Sequence, residues 1–126
     1  MALTVNLRND TSLFIKVNGI ESVIVPNTPQ EDLTIQWTGT ENKSIEFFPT
    51  IECNGTPLGV GNLTFITNDG IYVNRGDFSS QIVKMQADVT DNPNYVVQTT
   101  NSQEQKLLDW PTDMDGTVIN LSFWNL

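Results

Sequence analysis

The chain has 126 residues, with 6 lysines and arginines against 15 aspartates and glutamates, a formal net charge of −9. It holds one cysteine and no histidine, which excludes Ser-His-Asp and Cys-His catalysis, histidine-ligated zinc, an intrachain disulfide and multi-cysteine metal sites. Six scattered cations in an acidic chain do not form the positive patch that nucleic-acid phosphates require, so no nucleic-acid partner is expected.

The length suits a single domain spanning residues 1–126 with one modest core. The start, Met1-Ala2-Leu3-Thr4-Val5-Asn6, lacks a basic n-region and a signal-like apolar run, and no stretch approaches the ~20 apolar residues of a membrane span. The expectation is a soluble product without a signal peptide or transmembrane segment, cytoplasmic or released by a non-classical route. Glycosylation sequons begin at Asn9, Asn42, Asn54, Asn62 and Asn120. A chain this rich in Asn and Thr generates them by chance.

Period-two alternation runs through the chain, as expected of half-buried strands. Leu3, Val5 and Leu7 alternate with Thr4, Asn6 and Arg8; Leu13, Ile15 and Val17 alternate with Phe14 and Lys16. Asn18-Gly19 predicts a type I′ hairpin leading into a strand over 20–25, which Pro26 and Pro29 end. Leu33, Ile35 and Trp37 define the next core-facing row. Ile45, Phe47, Ile51 and Cys53 define another, with Pro49 marking an edge or a bulge. Asn68-Asp69-Gly70 predicts a hairpin turn between 58–67 and 71–74. Val83, Met85, Ala87 and Val89 alternate again, then Tyr95 to Thr99 and Thr117 to Leu126 complete the strands.

One segment breaks this rhythm. Ser102 to Asp109 holds good helix formers, Ser102 with Gln105 resembles a capping box, and Pro111 is a stop, so a short helix is predicted near 102–109. The whole reads as an all-β protein, an antiparallel β-sandwich or jelly roll of about nine or ten short strands with that one helix.

Three aromatics fall out of phase with the core rows: Phe14, Phe48 and Trp124. They are expected on outer faces, as a homo-oligomer interface, as ligand platforms, or covered by loops. Arg75-Gly76-Asp77 resembles the integrin-binding tripeptide of adhesion proteins. A Gly-containing turn with a local ion pair at a loop tip is the stronger reading of those three residues.

Two late loops concentrate acidic and amide groups. Trp110 with Asp113 and Asp115, and Tyr95 with Asp91 and Asn94, each pair an aromatic face with hydrogen-bonding groups, the combination a saccharide site needs. The same oxygens suit calcium better than any other metal, although Asp113-Met114-Asp115-Gly116 fails the EF-hand register. No cofactor is implied. No base accompanies the hydroxyls or Cys53, and nothing holds two carboxylates at a defined separation, so the chain is not expected to be an enzyme.

The leading expectation is a non-catalytic, lectin-like module recognising glycan or another cell-surface ligand through its Asn/Asp/Trp-bearing loops. The alternative is a structural self-assembling subunit, as in a virion, appendage or inclusion. A second alternative is a small membrane-active, cytolysin-like β protein. The opening arrangement (strand, Asn9-Asp10-Thr11, strand, Pro26) is similar to that of several small β toxins and lectins.

Overall fold

A computed structural model describes residues 2–79, 83–110 and 116–126. Ten strands follow in chain order: β1 (Ala2–Asp10), β2 (Phe14–Val17), β3 (Thr28–Gln36), β4 (Glu41–Phe48), β5 (Gly59–Ile66), β6 (Gly70–Phe78), β7 (Val83–Val89), β8 (Asn92–Thr99), β9 (Gln105–Asp109) and β10 (Val118–Asn125). They form two five-stranded sheets, sheet A in the order β3-β1-β10-β7-β8 and sheet B in the order β2-β4-β5-β6-β9. Every pairing is antiparallel except that of β10 with β1, which is parallel. The molecule is an all-β sandwich. No helix among the described residues is long and apolar enough to cross a membrane.

The alternation read from the sequence decides which side chains meet between the sheets. Leu3, Val5 and Leu7 of β1 and Ile119, Leu121 and Phe123 of β10 face Ile45 and Phe47 of β4, Leu63 and Phe65 of β5 and Ile71 and Val73 of β6 in one apolar cluster. Aromatic contacts join the layers. Phe47 meets Phe123 edge-on at 5.1 Å between ring centroids. Trp37, 1% exposed, stacks on Phe65 at 5.3 Å, as its phase with Leu33 and Ile35 predicts. Rings at these distances add dispersion and quadrupole attraction to their buried area.

Asn9 occupies a core-facing position at the end of β1, and its side chain organises the crossing to sheet B. Its amide nitrogen donates to the carbonyls of Leu13 (2.9 Å), Ile24 (3.1 Å) and Val25 (3.1 Å). Its oxygen accepts from the Thr11 amide (3.0 Å) and hydroxyl (2.7 Å). The side chain is fully buried, so this sequon asparagine is a structural tie.

Three local expectations are corrected. Residues 102–109 are not a helix: 105–109 form β9, which pairs with β6. Two turns of helix are marginal in isolation, whereas the edge of β6 offers backbone partners. A register shift between Ile71 and Tyr72 lets the adjacent Leu107 and Leu108 both point inward, 3% and 5% exposed. The Asn18-Gly19 turn is not type I′, since of the two only Gly19 has positive φ (86°); with the Ile20 amide donating to the Val17 carbonyl it has the φ signature of type II. The expected strand over 20–25 reduces to one bridge between Ile15 and Ile24.

A fourth correction concerns Arg75-Gly76-Asp77, which lies within β6 and not at a loop tip. Register slips so that Arg75 and Gly76 both oppose Gly61, a β-bulge. Gly76 has φ of 102°, and a Cβ there would stand 2.4 Å from the Val60 carbonyl oxygen. The bulge turns Arg75 inward, 6% exposed. Its guanidinium donates to the carbonyls of Gly76 (3.0 Å), Val83 (3.0 Å) and Thr100, and lies over the Phe78 ring at 5.3 Å. Burial lowers its pKa from the ordinary arginine value, partly offset by the Asp77 charge. Arg75 thus ties sheet B to the ends of β7 and β8 in sheet A, and a receptor has no access to it.

Candidate functional site

The inward residues of β1, β10 and β7 leave their neighbours on the outer face of sheet A. Pairing places these outward residues in cross-strand rows: Asp10, Trp124 and Lys84; then Arg8, Ser122 and Gln86; then Asn6, Asn120 and Asp88. Gln98 and Val96 of β8 extend the second and third rows. The rows exist because β10, from the C-terminal end of the chain, inserts in parallel beside β1.

The polar side chains of this face bond to one another before any ligand arrives. Asn6 Nδ2 donates to Asn120 Oδ1 at 3.2 Å. Asn120 Nδ2 donates to Asp88 Oδ1 at 2.7 Å and to Thr90 Oγ1 at 2.9 Å. Gln86 Nε2 donates to the other Asp88 oxygen at 3.1 Å, and Gln98 Nε2 donates to Gln86 Oε1 at 2.6 Å. The result is a side-chain ladder spanning four strands. It holds the amides in fixed orientations while leaving them spare lone pairs and N–H groups.

Three depressions follow one another along β10. The first, about 370 Å³, is lined by Arg8, Asp10, Gln86, Ser122 and Trp124. The second shares Arg8 and Ser122 with it and adds Asn6, Gln30 and Asn120. The third, about 410 Å³, shares Asn120 and continues over Asp88, Asp91, Asn92 and Val96 to the β7–β8 turn. Shared walls make them one groove. Trp124 at one end carries the Lys84 ammonium 5.4 Å from its ring centroid, and Arg8 Nε donates to Asp10 at 2.6 Å. At the other end Val96, 48% exposed, supplies an apolar spot.

The residues singled out from the sequence are distributed unevenly. Asp91, at the turn with φ of 63°, lines the groove. Asn94 is exposed and Tyr95 packs partly against the main core. Trp110 is also partly buried, its ring edge-on to Trp37 at 5.0 Å and its amide donating to the Asp69 carbonyl, so it anchors the end of β9. Asp113 and Asp115 lie outside the described residues. Among the described residues no three acidic or cysteine side chains gather as a metal site.

Phe14 and Phe48 face each other across β2 and β4 on sheet B, the opposite side of the sandwich from Trp124, so the three aromatics do not form one patch. Phe48 is 3% exposed. Cys53 is half-buried, and burial raises its thiol pKa from the ordinary value.

What sequence reading missed was the amide ladder itself. Its members were visible as outward positions of alternating strands, and Trp124 was visible as an aromatic out of phase. Their adjacency required the parallel insertion of β10. No family model, curated protein or solved structure matches the chain.

Proposed function

We propose that the protein is a non-catalytic glycan-binding module and that the groove along β10 is its binding surface. The observation that carries this reading is the ladder of Asn6, Asn120, Asp88, Gln86 and Gln98 running beside Trp124. Sugars present hydroxyls that both donate and accept, together with apolar C–H faces. Oriented amides and a carboxylate match the first, and an indole ring matches the second. A ladder already satisfied internally loses little side-chain entropy on binding.

This reading moves the ligand from the loops at Trp110 and Tyr95 to a sheet face, keeping Asp91 at its rim. Incubation on a glycan array, with and without calcium, tests it. Retention of a defined set of oligosaccharides, lost in Trp124→Ala, is the expected result; no retention in either condition overturns it.

A further inference from the structure

We infer that the Trp124 end of the groove takes the carboxylate of an acidic sugar residue, with Arg8 and Lys84 as its cationic contacts, an inference that rests on the glycan reading above. The chain has only six cations, and their placement is uneven. Arg75 is buried, Lys43 pairs with Glu41, Lys106 pairs with Asp69 and Asp109, and Lys16 stands on β2 of sheet B. Arg8, paired with Asp10, and Lys84 fall in adjoining rows on either side of β10; Arg8 and Asp10 line the first depression, and Lys84 lies over the ring of Trp124, which lines it too.

Their chemistry suits an incoming anion. Asp10 engages the Nε of Arg8, and the side chain is 58% exposed. A guanidinium has five N–H donors, so the fork formed by its two terminal nitrogens stays open to a carboxylate, with Asp10 fixing its direction. Lys84 has no ion-pair partner among the described residues, and its ammonium lies over the Trp124 ring. A sugar ring seated on Trp124 would bring a ring carboxylate between the two cations.

The opposite end of the groove has the reverse character. Asp88 lies four residues from Lys84 on β7, about 13 Å along an extended strand and beyond the ~8 Å screening length at physiological salt. Asp88 and Asp91 therefore stand apart from the Trp124 end, where Asp10 offsets the charge of Arg8 and Lys84 supplies the excess positive charge, and they favour sugar hydroxyls as donors at their own end. The net charge of −9 repels polyanions at long range. The ligand class that fits is an otherwise neutral oligosaccharide with a single acidic residue, oriented with that residue at Trp124.

The test is an array carrying sialylated and uronate-bearing oligosaccharides beside their methyl esters and neutral counterparts, probed with the full chain and with Arg8→Gln and Lys84→Gln. The free acids should bind about tenfold or more tightly than esters and neutral forms, and each variant should lose about that factor for the acids alone, as loss of a charge-assisted hydrogen bond implies. Both side chains are on the surface, so unchanged thermal unfolding identifies folded variants. Equal binding of acids and esters, or full binding by both folded variants, overturns this inference and leaves the glycan reading standing. Absence of binding to every glycan overturns both.

Discussion

Phe123 and Trp124 are neighbours in one strand, yet their surroundings have nothing in common. Phe123 is fully buried and meets Phe47 across the sandwich; Trp124 is half-buried on the other side, between Lys84 and Asp10, at the end of a polar groove. Successive side chains of a strand point to opposite faces, so β10 carries an apolar row and a groove-lining row in the same eight residues. The contrast shows that hydrophobicity alone does not assign a role to an aromatic residue. Phase does.

The largest expected effect comes from the inner row. Phe123→Ala removes a fully buried ring and leaves a cavity, for a loss of about 3–5 kcal/mol, measured as a shift of the urea midpoint. Folding stability should fall while the groove of the remaining folded fraction still binds. A loss below about 1 kcal/mol would contradict the packing described for the two sheets. Next comes Asn9→Ala, which removes one donor from each of the carbonyls of Leu13, Ile24 and Val25 and takes the buried acceptor from the Thr11 amide. An unsatisfied buried polar group costs about 1–3 kcal/mol, and three acceptors share two N–H groups here. The expected loss is about 3 kcal/mol in the same assay, and a near-neutral variant would mean that other donors replace the amide.

Trp124→Ala is the counterpart of Phe123→Ala. Stability should change by about 1 kcal/mol or less, as for surface positions, whereas glycan affinity should fall at least about tenfold, the usual consequence of removing an aromatic anchor. Calorimetric unfolding and glycan titration on one preparation separate the two readouts. If Trp124→Ala unfolds the protein as Phe123→Ala does, the distinction between the rows of β10 fails.

Much of the fold was legible in the residues, and the reasons are specific. Leu3, Val5, Leu7 and Ile119, Leu121, Phe123 alternate because one face of each strand is buried, so strand phase could be read directly. Segment 102–109 misled because intrinsic helix preference amounts to tenths of a kcal/mol per residue, and the exposed edge of β6 outweighs it. Arg75-Gly76-Asp77 misled because a bulge depends on the strand opposite, where Gly61 leaves room for it. The site was the least legible part. Asn6 and Asn120 are 114 residues apart in sequence and hydrogen-bonded in the fold, and no local pattern encodes a parallel pairing between the two ends of a chain.

The smallest expected effect lies on the outer face of sheet B, where polar groups clamp an edge strand. Asp69 accepts from Tyr72 Oη at 3.0 and 2.9 Å and from Lys106 Nζ at 3.0 Å, while Lys106 also meets Asp109 at 2.7 Å. The hydrogen bond from Lys106, then that from Tyr72, holds the Asp69 carboxyl below its ordinary pKa. Asp69 raises that of Tyr72, and the two aspartates raise that of Lys106. A depressed carboxyl stabilises the fold fully above its unfolded pKa, near 4, and loses that contribution as pH falls through the lower folded value. Tyr72 acts at the other limit: its contribution is present below the ordinary tyrosine value and is lost as pH rises through the elevated one. Wild type should therefore exceed Asp69→Asn in urea midpoint at neutral pH, by less than any variant above, and the two should converge in acid. Divergence on acidification would mean that Asp69 is held by something other than these two donors. Because the pair is exposed, solvent screening keeps its effect small, which is why this face clamps β9 without adding much to the core that Phe123 supports.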